Sequence, residues 1–125
     1  MKTVYNLKDD SRRIKLIQET SLDSKSIYGY KIIDNLLFGS KDWFKAIEIG
    51  KISTYNVQGI ISKLIEAGHN DYPEFELENG DGKFLWTRYG NSKLYVVGKK
   101  VEVIFIEQKF KRGGESRCII QINIE

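Results

Sequence analysis

From about residue 70 onward, the chain alternates apolar and polar side chains with a period of two, and short glycine-containing turns interrupt the alternation. That period puts successive side chains on opposite faces of a strand, so this half must be built from hairpins with one dry and one wet face. In Glu74-Phe75-Glu76-Leu77-Glu78 the acids fall on one face and Phe75 and Leu77 on the other. Asn79-Gly80-Asp81-Gly82 tolerates positive φ and predicts a tight connection into a strand over residues 83–89. Gly90-Asn91-Ser92 then predicts a turn into a strand over 93–97, Gly98-Lys99 another turn, and residues 100–111 a long strand rich in β-branched and aromatic residues. Gly113-Gly114 closes the last hairpin. In the final segment Cys118, Ile120, Ile122 and Ile124 share one face; Arg117, Gln121, Asn123 and Glu125 take the other, with Ile119 as the exception.

The N-terminal half fits two periods at once. Ser40 as N-cap, Asp42 in the first turn, Trp43 and Ile47 four apart and Gly50 at the end predict a short helix. Residues 51–68 fit a helix capped by Ser53 or Thr54. However, Val57, Ile60, Ile61 and Ile65 are β-branched and Gly59 interrupts the run, which favours a long bent strand with Gly59 as a bulge or kink. Residues 27–33 read as another strand, and residues 11–20 fit a helix and a strand equally well. The expected class is α+β, with short N-terminal helices packed on a strongly curved antiparallel sheet or small β-barrel; a flat sheet with helices on one face is the runner-up. The strand count and spacing resemble those of oligonucleotide-binding and SH3-like small barrels, and no family motif is matched.

A length of 125 residues gives room for one domain, 1–125, with a core of its own. Lys and Arg exceed Asp and Glu by 20 to 17, a net charge of +3 that is too mild to imply an anionic partner by itself. One cysteine, Cys118, excludes an internal disulfide and a cysteine-rich zinc site and fits a reducing compartment, the cytoplasm. No apolar run is long enough to span a bilayer, so a membrane role is not expected.

Chemistry-bearing constellations are few. His69, the only histidine, stands near Asp71 and Glu74 and has the parts of an acid–base pair, but Asn-Asp followed by Tyr-Pro is ordinary turn chemistry. Glu107 and Lys109 lie on one strand face, as in metal-dependent nucleases of the Asp…Glu-x-Lys pattern, with Asp81 or Asp71 as the missing acid. A match of that length is common in a chain with 30% charged residues. Asn-Gly-Asp-Gly lacks the length and closing glutamate of a calcium loop. Neither a catalytic residue nor a metal ligand is assigned, and no cofactor is expected.

Two binding readings remain. In the first, the chain is a non-catalytic module of inhibitor or immunity type that occupies another protein's surface. Glu74, Glu76 and Glu78 then face a basic partner such as a nuclease toxin, and Tyr72 and Tyr95 contribute aromatic contacts. In the second, Phe84, Trp86 and Arg88 form an outward face that stacks single-stranded nucleic acid, with Lys93, Lys109 and Lys111 on the phosphates.

Overall fold

A computed structural model describes residues 1–67 and 72–125. Among the described residues six strands form one sheet: β1 (Lys2–Asn6), β2 (Tyr55–Ile65), β3 (Glu74–Asn79), β4 (Gly82–Thr87), β5 (Lys100–Lys109) and β6 (Glu115–Ile124), in the spatial order β1-β6-β5-β2-β3-β4. Two helices, α1 (Ser11–Leu22) and α2 (Lys41–Glu48), precede β2. This is the expected α+β class. Contacts divide the chain into two compact units, the first comprising Met1–Asn6, Asn56–Ile104 and Gln121–Glu125, the second Leu7–Tyr55 and Phe105–Ile120.

In the first unit β3 pairs antiparallel with β4 in a hairpin from Glu74↔Thr87 to Asn79↔Gly82, and with β2 from Ile60↔Glu78 to Ile65↔Glu74. Phe75, Leu77, Ile61, Val101 and Val103 are buried on the inner face. Burying an aliphatic or aromatic side chain of this size contributes about 1.5–3 kcal/mol, so these residues fix which face of each strand turns inward. The register irregularity of β2 lies between Ile61 and Lys63, two residues beyond Gly59. Gly59 serves a different purpose: a Cβ there would fall onto the Glu78 carbonyl oxygen and within 2.6 Å of Leu77 Cδ2. The glycine therefore permits close approach of β2 and β3.

The sheet curls without closing, since its order ends at the edge strands β1 and β4. The barrel expectation is corrected here, and the cause is local. Residues 93–97 do not form a strand: Ser92–Leu94 is a single 3-10 turn capped by the Asn91 side chain, which leaves nothing to pair β4 with β1. The two edges meet through rings, Tyr5 of β1 stacking on Tyr89 just after β4 with centroids 4.8 Å apart.

In the second unit, the ambiguous residues 11–20 are helical. Asp10 caps α1 by accepting a hydrogen bond from the Arg13 amide at 3.1 Å, and the Arg13 guanidinium donates to the Ile119 carbonyl of β6 at 3.0 Å. Ser40 caps α2 through the Trp43 amide, as the sequence predicts, and Trp43 and Ala46 are buried. Residues 27–33 are not a strand; they contribute only the isolated bridges Tyr30↔Phe110 and Ile33↔Leu36. Asp34 and Asn35 follow at φ 55° and 61°, a tight turn that ends any extended run before a ladder can form. No described helix is long and apolar enough to cross a membrane.

Candidate partner-binding face

Alternation along β3 delivers the predicted carboxylates to the outer face of the first unit. With Phe75 and Leu77 fully buried, Glu74 and Glu76 are half-buried and Glu78 is exposed. Glu76 is held in place: Ser62 Oγ donates to its Oε1 at 2.9 Å, and Lys83 Nζ lies 3.9 Å away. Leu85 stands directly across from Glu76 and Ile60 across from Glu78, both exposed, so the acids are interleaved with apolar side chains. A shallow groove of about 400 Å³ passes Gln58, Ile60, Glu78, Asn79 and Lys100.

Further along the same face lies a carboxylate that the sequence did not single out as functional. Glu102 of β5 receives three side-chain amides: Asn56 Nδ2 at 2.6 Å and Gln58 Nε2 at 3.1 Å on Oε2, and Asn123 Nδ2 at 2.7 Å on Oε1. Asn123 is itself oriented, its Oδ1 accepting from Thr3 Oγ1 at 2.8 Å and Gln121 Nε2 at 3.0 Å. Donation from Asn56, then from Asn123, stabilises the charged form and holds the Glu102 carboxyl below its ordinary range, although partial burial opposes this. The result is an anion on β5 held in place by side chains of β2 and β6. Its sequence signal is the alternation of Asn56 and Gln58 on β2 with Gln121 and Asn123 on β6, which becomes legible only once those strands are known to flank β5.

The other predicted residues fall in different places. Tyr72 is 59% exposed and available. Tyr95 is 2% exposed; its hydroxyl donates to the Tyr89 carbonyl at 2.7 Å and its ring lies 5.1 Å from Phe75. Burial pushes its phenol far above the ordinary range, so Tyr95 is a core residue and is removed from the contact face.

The outward nucleic-acid face is also corrected. Phe84, Trp86 and Arg88 do share a face, but it is the inner one: Trp86 is 5% exposed and Arg88 6%. The Arg88 guanidinium donates to the Ile65 carbonyl at 3.0 Å and pairs with Glu66 at 3.1 Å, so it is committed to the fold. Lys93 is exposed on the first unit, whereas Lys109 and Lys111 belong to the second. Lys111 Nζ donates to the carbonyls of Thr20 and Asp23, each at 2.7 Å, closing the C-terminal end of α1. With Trp86 buried, Phe84 half-buried and two of its cations, Arg88 and Lys111, occupied, the nucleic-acid reading is not favoured.

Of the catalytic candidates, His69 and Asp71 lie outside the described residues. Glu107 and Lys109 belong to the second unit and Asp81 to the first. Among the described residues no three His, Cys, Asp or Glu side chains converge to hold a metal ion.

The outer sheet face of the first unit, with Glu76 and Glu102 held by hydrogen bonds among exposed apolar side chains, has the mixed character of a protein-binding surface. No curated protein matches the chain. A family model, that of the immunity protein RhsI2, matches residues 1–123. The chain belongs to the RhsI2 family of immunity proteins.

Proposed function

We propose that this chain is a non-enzymatic inhibitor that neutralises a toxin by covering part of its surface, with Glu74, Glu76 and Glu78 on the contact face and Tyr72 beside them. The observation that carries this reading is the outer sheet face of the first unit, where Glu76 and Glu102 are fixed by hydrogen bonds before any partner arrives. Carboxylates whose orientation is already set lose little entropy on binding and attract a basic surface over a Debye length, which raises the association rate. The toxin face is accordingly basic, with apolar patches opposite Ile60 and Leu85. Residues 1–125 act as one domain, since the family match runs through both units. We place the protein in the cytoplasm, in keeping with its single thiol, Cys118.

The test is toxin binding by Glu76→Lys/Glu78→Lys, together with survival of toxin-producing cells that carry this variant. The expected result is a folded protein with affinity lower by on the order of tenfold or more and with reduced protection. Unchanged affinity removes these residues from the interface.

A further inference from the structure

The two edges of the sheet, both in the first unit, are finished differently. The β1 edge is blunted. Its pairing with β6 is irregular between Thr3 and Tyr5, the Tyr89 ring stacks on Tyr5, and a Cβ at Gly90 would stand 2.6 Å from the Val4 carbonyl oxygen. Bulges and covering chain of this kind keep a strand edge from pairing with a stranger. At β4 these devices are missing. Its register with β3 runs unbroken from Glu74↔Thr87 to Asn79↔Gly82, it contains no proline, and its one charged side chain, Lys83, is turned toward Glu76 at 3.9 Å. The strand starts in the open, since a Cβ at Gly82 would meet nothing within 4 Å.

In an antiparallel ladder, one residue aims its N–H and C=O groups at one neighbouring strand and the next residue aims them the other way. The two-residue turn makes Asn79↔Gly82 a hydrogen-bonded pair, so Phe84 and Trp86 face β3 with their backbone groups, whereas Lys83 and Leu85 turn theirs outward. On that outward side the backbones of Lys83 and Leu85 have no hydrogen-bond partner among the described residues. The side chains along this edge are incompletely covered as well. Leu85 is 55% exposed on the outer face, and Phe84 is only half-buried on the inner face, where Trp86 is buried. An open ladder flanked by apolar side chains on both faces selects its occupant by chemistry: an extended segment that carries apolar side chains of its own.

We propose that the toxin supplies that segment and lays it along Lys83 and Leu85 as an added strand beside β4. This rests on the inhibitor reading. The toxin, and not a second copy, is the occupant because β4 borders the carboxylate face: Leu85 stands across from Glu76 and Lys83 across from Glu78, so a strand on this edge continues the contact at those acids. Backbone pairing then contributes affinity, and toxin side chains beside Leu85 and Phe84 contribute specificity.

The test is amide hydrogen exchange on the full chain, alone and with toxin bound. Alone, the Lys83 and Leu85 amides are expected to exchange fast beside protected Phe84 and Trp86; in the complex they are expected to slow on the order of tenfold or more. Unchanged exchange at both amides in the complex overturns the proposal and leaves the inhibitor reading standing. Toxin affinity is measured in parallel for Leu85→Pro, which deletes one outward N–H and none of the β3 ladder, and for Leu85→Ala, which trims the side chain alone. With folding checked by melting, Leu85→Pro is expected to bind on the order of tenfold more weakly than Leu85→Ala. Equal affinities overturn the proposal, and if Leu85→Pro does not fold, the exchange measurement decides. If the unaltered protein does not bind its toxin, the inhibitor reading itself fails. Protection of the two amides without toxin, rising with protein concentration alongside sedimentation as a dimer, would assign the edge to a second copy and overturn the proposal.

Discussion

Glu102 illustrates how one side chain acquires a property from neighbours distant in sequence. Three amides from β2 and β6 point their N–H groups at it, and donation from Asn56 has the largest effect on its acidity. In Asn56→Ala the carboxyl should therefore titrate closer to the ordinary glutamate range, which side-chain NMR through the acid range would read directly. The sign for stability follows from the depressed value. The folded protein holds the charged form more tightly than the unfolded chain does, so this contribution is complete above the ordinary glutamate range. It disappears as pH falls through the depressed value. A flat midpoint of unfolding across that window in the unaltered protein, with a slope appearing in Asn56→Ala, would contradict the assignment.

At the scale of elements, the hairpin half was legible because alternation and turn chemistry agree there. Both predicted faces of β3 follow from period two, and the β3–β4 turn and the β5–β6 hairpin at Gly113-Gly114 follow from their glycines. Where the sequence misled, a local conformation overrode a plausible pattern. Residues 93–97 and 27–33 have strand-like composition, yet the Asn91 cap on Ser92–Leu94 and the left-handed pair Asp34-Asn35 redirect the backbone. Composition also could not say which side of β4 is wet, which is the source of the correction at Trp86, whereas Tyr95 is buried because the 3-10 turn before it directs its ring onto Phe75. Trp86→Ala should lower stability by about 3–5 kcal/mol, measured by denaturant unfolding, as expected for an aromatic removed from a core. A fully stable variant would put the indole back on the surface. Gly59→Ala should cost about 1–3 kcal/mol, because the added methyl meets backbone that has to move. A neutral result would mean that β2 and β3 can separate without penalty.

For the whole molecule, net charge and local charge point in different directions. The chain carries +3, yet the face proposed to meet the toxin is lined by Glu74, Glu76, Glu78 and Glu102. Association governed by that face should slow as salt is raised and should slow less in Glu76→Lys/Glu78→Lys, in stopped-flow measurements on the toxin complex. A rate that does not respond to salt would mean that the overall charge, and not this face, governs the encounter. None of this was readable from composition, since alternation had to sort the charges onto faces first. The curl of the sheet has a consequence of another kind. Because β1 and the chain after β4 are joined by the stacked rings of Tyr5 and Tyr89 and not by a ladder, the first unit has a seam. Open strand edges can recruit other chains into a growing aggregate, so loss of the Tyr5–Tyr89 stack that links the two edge regions is expected to lower the protein's solubility during long storage or overproduction.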